Sequence, residues 1–310
     1  MKGCADTCGI SLLNFDGTLQ NQPLLHKAYP SEWIDFSDLG GCLGYASGEA
    51  LRRIRRRLEA RRHRRITLIG SGNYHYVTYL LMSEIRQPFS LVLFDHHTDL
   101  APGSPALAAS ELAASGLKVT GLSASGLAAA VDAPAGTDAG APVLSCGSWV
   151  GAAVNNLPLL RRVVIVGARP AEDRSGRLHV RAHGRTCRGP APGVPDKVTV
   201  ITEQEARRCS AGELARAIRE ALADLPVYIS VDKDVLDREH AATNWDQGSM
   251  PLGQLTGVLR ELKRTCRIAG ADVCGELPLS PLERLFGFRT RLVKKNELAN
   301  KAIVDALLAE

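Results

Sequence analysis

The chain has 310 residues, of which 45% are hydrophobic and 23% charged, with a formal net charge of +5. These ordinary globular proportions support a sizeable core, arranged as one large α/β domain or two modest ones. No apolar run approaches the roughly 20 residues of a membrane span. MKGCADTCGI lacks the apolar core of a signal peptide, and the eight cysteines form no C-x-x-C pair, so a cytoplasmic, reduced protein is expected.

In chain order, ISLLNF (10–15) reads as the first strand. The segment LRRIRRRLEARRHRR (51–65) follows, with nine arginines. Its charge would suit nucleic acid or an anionic membrane, but it has no aromatic interleaving and matches no nucleic-acid module. Leu51, Ile54 and Leu58 recur at helical spacing, which predicts a helix over 47–63 with the arginines on a solvated face. ITLIG (66–70) is the next strand, running through the glycine-rich turn GSGNY to His75 and a helix over 74–85.

LVLFD (91–95) is a buried strand that runs straight into HHTDL. Residues 101–143, rich in Ala, Gly, Ser and Pro, read as an insertion with one short helix around 108–115. A helix over 148–156 and the strand VVIVGA (163–168) precede a second long loop over 171–197. That loop holds His179 and His183, which read as surface histidines. VTVIT (198–202), a helix over 204–223, VYISVD (227–232), a helix over 252–265 and IAGADV (268–273) complete the series. Ser210 with Glu213 three residues on has capping-box spacing. Short apolar strands alternating with helices predict a three-layer αβα fold on a mainly parallel sheet, in which chemistry collects at the carboxyl ends of the strands.

Three strand ends carry that chemistry. Alternate residues of an extended chain share a face, so Asp95, His97 and Asp99 project together and His96 points the other way. Asp232 and Asp234 in VYISVDKDVLD share a face by the same rule, with Lys233 turned away, and His75 is a sixth ligand candidate. Carboxylates crowded in a water-poor cleft repel unless a cation joins them. Four carboxylates and two imidazoles, with no cysteine in the set, suit two divalent ions of the Mn²⁺ type.

The motifs SGNYH (71–75), DHHTD (95–99) and SVDKDVLD (230–237) stand in the order and spacing of the ureohydrolases, the family of arginases, agmatinases and formiminoglutamases, and the chain resembles that family from about residue 66 to 278. The resemblance implies a single domain over 1–310 and two Mn²⁺ ions. His75, Asp95, Asp99 and Asp232 would hold one, and Asp95, His97, Asp232 and Asp234 the other. Two such ions lower the pKa of a shared water, whose attack on a guanidino or amidino carbon would release urea, with Asp234 accepting or relaying the proton. The implied partner is a small guanidino compound or an arginine side chain within a peptide, with no nucleic acid and no membrane; a homo-oligomer is compatible with it. The rivals are an amide deacetylase of the related core and a non-catalytic metal-binding homologue.

Three positions depart from the family pattern. Cys146, in LSCGSWV (144–150), stands where the family has a proton-shuttling histidine. Such a role needs a lowered thiol pKa. In ADVCGELP (271–278), Gly275 stands at the guanidinium-binding glutamate and Glu276 comes one residue later, which makes Glu276 a substrate anchor only if a bulge restores its face. The LAPG segment after Asp99 offers no polar groups for an amino acid's α-carboxylate, and Asn244, Trp245 and Asp246 are expected to shape the pocket.

Overall fold

A computed structural model describes residues 9–101, 142–169, 195–280, 282–283 and 290–308. The strands are β1 (Ile10–Asn14), β2 (Ser31–Asp35), β3 (Tyr45–Ser47), β4 (Ile66–Leu68), β5 (Phe89–Phe94), β6 (Pro142–Ser145), β7 (Leu160–Ala168), β8 (Val198–Thr202), β9 (Val227–Asp232) and β10 (Ile268–Cys274). Eight of them form one sheet in the order β2-β1-β4-β10-β9-β5-β7-β8. Every pairing in it is parallel. β3 and β6 pair antiparallel in a separate ribbon.

Alternation along the strands builds two apolar layers. Leu91, Leu93, Val163 and Ile165 face one side, packed under α2 (Gly48–Glu59), α3 (Val77–Ser83) and α4 (Trp149–Asn156), in chain order after the short α1 (Pro23–Ala28). Val92, Phe94, Val164 and Val166 face the other. There they meet α6 (Ala211–Ala221), α7 (Leu252–Thr265) and α8 (Thr290–Leu308), with the five-residue α5 (Glu203–Arg207) contributing Ala206. Helices on both faces of a parallel sheet give the three-layer αβα architecture read from the sequence.

The seven expected strands all form. β2, β3, β6, α1 and α8 add to the sequence reading. β2 is an edge strand whose residues are half-buried or exposed, so it has no apolar run to announce it. The segment 204–223 is two helices rather than one, because Thr202–Glu205 and Ser210–Glu213 each close a capping box and the second starts a new helix. The insertion read at 101–143 and the loop at 171–197 lie almost wholly outside the described residues, as do His179 and His183; β6 begins at Pro142.

In α2, Leu51, Ile54 and Leu58 are buried. Five of the nine arginines of 51–65 meet nearby carboxylates, Arg57 and Arg53 at Asp38, Arg61 and Arg64 at Glu84, and Arg62 at Glu32. No helix among the described residues is long and apolar enough to cross a membrane.

Candidate metal centre

The four adjacent strands β4, β10, β9 and β5 bring their carboxyl ends to one place. After β4, the 3-10 turn Gly72–Tyr74 delivers His75. A Cβ at Gly72 would lie 2.9 Å from Asp232 Oδ2, so this position leaves room for the cluster. β5 releases Asp95, His96 and His97, and the chain then turns through Asp99 in a left-handed conformation at φ 51°, which Asp adopts more readily than most residues. β9 ends at Asp232, whose Oδ1 accepts the Asp234 N–H at 3.0 Å and starts a 3-10 turn.

All six sequence-predicted ligand candidates meet here. His75 Nδ1 lies 3.2 Å from Asp95 Oδ2, 3.3 Å from Asp99 Oδ2 and 3.4 Å from Asp232 Oδ2. His97 Nδ1 lies 2.9 Å from Asp234 Oδ2 and 3.4 Å from Asp95 Oδ1. Atoms sharing one ion at about 2.0–2.2 Å are roughly 3–3.6 Å apart, so these are ligand-to-ligand spacings. His75, Asp95 and Asp99 make one compact set, and Asp95, His97 and Asp234 another.

The four carboxylates and His75 are buried, while His97 is about one-third exposed at the mouth. Burial, followed by repulsion from Asp99 and Asp234 respectively, pushes the Asp95 and Asp232 carboxyls above their ordinary range. Burial pushes Asp99 up as well, and burial plus the charge of Asp95 pushes Asp234 to about 7. Hydrogen bonding to Asp234 and then Asp95 raises His97 to about 11. Every shift is toward more positive charge, the condition a bound cation relieves. Lys233 does not relieve it, because its side chain is turned away to Glu276. The donor set therefore fits divalent cations with oxygen and nitrogen preference.

A chain of buried polar groups holds His75 from behind. Ser230 Oγ donates to Asp272 Oδ1 at 2.8 Å and lies 3.0 Å from His75 Nε2. Tyr228 donates to the other Asp272 oxygen at 2.8 Å. With the single Ser230 proton committed to Asp272, Oγ accepts the Nε2 proton, leaving the Nδ1 lone pair toward the cluster. Ser230→Ala is therefore expected to weaken divalent-ion affinity about 10–100-fold with the fold retained, measured by metal titration calorimetry.

Trp149 fixes Asp99 through an indole bond of 2.6 Å to Oδ2. Sequence reasoning gave no role to Trp149, Ser230 or Asp272. The one available signal was Asp272, a carboxylate in the middle of an apolar strand.

The cluster floors a pocket of about 380 Å³, with Leu100, Ala101, Cys146, Gly147, Arg169 and Trp245 in its wall. Trp245 stands edge-on to His97 at 5.8 Å between ring centroids, and Asn244 and the Trp245 indole both reach Asn73. Asp246 lies 3.6 Å from Arg169 at the exposed rim. Cys146 lines the pocket, and burial and then the Asp99 charge push its thiol up to about 11. His96 also borders the pocket, although the alternation turned it away, and donates its backbone N–H to Asp234 Oδ1 at 3.0 Å.

The structure places Glu276 away from the pocket, as a correction to the substrate-anchor expectation. Gly275 takes φ 87°, and a Cβ there would meet Asp232 Oδ1 and, at 2.6 Å, Lys233 N. No bulge restores the glutamate's face: Glu276 runs to Lys233, to Gln22 Nε2 at 2.9 Å and to Asn300 Nδ2 at 2.6 Å.

A model of the Arginase family matches residues 12–280. An uncharacterized protein of Thermotoga maritima is 27% identical over 301 residues, covering 97% of this chain and 90% of that relative. Among solved structures, arginase from Bacillus subtilis aligns with TM-score 0.59 at 13% identity, over 98% of each chain. Proclavaminate amidino hydrolase from Streptomyces clavuligerus aligns with TM-score 0.57 at 16% identity, over 96% of this chain and 92% of that one. Formimidoylglutamase from Bacillus subtilis aligns with TM-score 0.58 at 12% identity, over 96% and 86%. At such identities the structural likeness shows the fold.

Proposed function

The chain belongs to the arginase family, and from that premise we propose that it is a dinuclear Mn²⁺ hydrolase that cleaves a C–N bond of a guanidino or amidino substrate and releases urea or a similar small product. The observation that carries this reading is the convergence of His75, Asp95, His97, Asp99, Asp232 and Asp234 from the ends of three strands, β4, β5 and β9.

Asp95, which faces both histidines, and Asp232, which faces His75, would help to hold the pair of ions. A pair of divalent ions there would supply Lewis acidity and lower the pKa of a nearby water. The chain's own groups do the rest. Asp234, held by the His96 N–H and facing His97 Nδ1, takes up or relays the proton of the attacking water. Trp149 and the Ser230–Asp272 pair fix the orientation of Asp99 and His75, so the donors need no rearrangement during turnover. Leu100, Ala101 and Trp245 give the pocket an apolar wall suited to an aliphatic spacer.

The test is urea release by the Mn²⁺-loaded protein from arginine, agmatine, guanidinobutyrate, guanidine and arginine-containing peptides. Turnover of one of them is expected. Cleavage of acetyl-lysine or acetylpolyamine with no urea from any guanidino compound would overturn the proposal.

A further inference from the structure

Cys274 is 1% exposed and shares the site face of β10 with Asp272. The register sets it directly beside Asp232 of β9. Its Sγ lies 3.1 Å from Asp232 Oδ2, the same oxygen that stands 3.4 Å from His75 Nδ1. The thiol is not alone: His75, Asp232 and Cys274 form a third compact set of buried ligand-type atoms, all within 4.8 Å of one another. A thiolate sulfur binds at about 2.3 Å and imidazole or carboxylate donors at about 2.0–2.2 Å, so donors on one ion lie roughly 3–3.7 Å apart. The Sγ–Oδ2 separation falls in that range.

We infer that Cys274 supplies a sulfur ligand to the cation held by His75 and Asp232, so that the two metal positions are chemically unequal. The inference rests on the dinuclear reading above and concerns which ion each position selects. The position at Asp95, His97 and Asp234 has only oxygen and nitrogen donors and suits Mn²⁺. The position at His75 and Asp232 gains a soft donor and favours a thiophilic ion such as Zn²⁺ or Co²⁺. Ligation replaces the S–H bond by a metal–sulfur bond and releases one proton to solvent, with no change of oxidation state.

The test uses the full chain dialysed into Co²⁺ and followed by near-ultraviolet absorption, which reports sulfur-to-cobalt charge transfer independently of activity. A charge-transfer band is expected that saturates at one Co²⁺ per chain, is retained in Cys146→Ser and is lost in Cys274→Ser. In competition, the preference for Zn²⁺ over Mn²⁺ should fall at least about tenfold in Cys274→Ser, the lower end of what losing even an outer-shell partner does to metal affinity. Cys274→Ala serves as the second variant should the serine protein misfold.

Co²⁺ bound with no charge-transfer band in the unmodified protein overturns the inference and leaves the dinuclear reading standing. A band that persists in Cys274→Ser and vanishes in Cys146→Ser also overturns it, by moving the sulfur to the pocket wall. Failure to bind any Co²⁺ or Mn²⁺ overturns both readings.

Discussion

Asp232→Ala is expected to leave the protein unable to retain either of the two proposed ions and to lower turnover roughly a thousandfold, as the loss of several kcal/mol of transition-state stabilisation implies. The expectation follows from the geometry around one side chain. Asp232 Oδ2 faces His75 Nδ1 and Cys274 Sγ, while Oδ1 accepts the backbone N–H of Asp234 and so holds the next donor in place. Alanine removes both functions at once, and the vacated space is too polar to close over. Elemental analysis after dialysis checks the result directly. Retention of two Mn²⁺ per chain would show that Asp232 does not hold them.

The second large effect concerns stability. Lys233 and Glu276 form an ion pair with both side chains almost wholly buried, and Gln22 and Asn300 supply the remaining hydrogen bonds to Glu276. Removing one member leaves the other charge stranded. Glu276→Ala is therefore expected to lower unfolding free energy by about 3–5 kcal/mol in urea denaturation. The double substitution Lys233→Met with Glu276→Leu should recover most of that loss, because two apolar side chains of similar volume leave no orphaned charge. The single variant also separates two roles. A substrate anchor would raise KM and leave the denaturation midpoint unmoved, whereas the network predicts a lower midpoint.

These residues show what the sequence reveals and what it hides. Asp95, His97, Asp232 and Asp234 were legible because apolar strands ran directly into alternating charges, and strand periodicity is local information. The side of the sheet that Glu276 occupies was harder to read. Its one-residue offset turns the side chain to the opposite face, and the left-handed Gly275 before it did not bring it back. Trp149 and Cys274 were invisible for a different reason. Each acts on an aspartate more than 40 positions away, Trp149 on Asp99 and Cys274 on Asp232, through packing and cross-strand register that no single segment encodes. The helix α8 has buried Ile303, Val304 and Leu307 at helical spacing, a signal that is local to its own segment.

The strand order bears on how the molecule is made as well as on what it holds. β4 and β5 follow one another in the chain, yet β10 and β9 lie between them in the sheet. A nascent chain that has emerged only as far as β8 can pair β4 with β1 and β5 with β7, but the inner edge of each half stays open. Open edges are templates for wrong partners. Pairings this distant also belong to the slow-folding, high-contact-order class. The two strands that close the gap, Val227–Asp232 and Ile268–Cys274, are the last two of the sheet to be synthesised. Truncations ending before Val227 should therefore aggregate during expression. A chaperone that shields the two half-sheets until the final strands arrive would raise the yield of the complete chain.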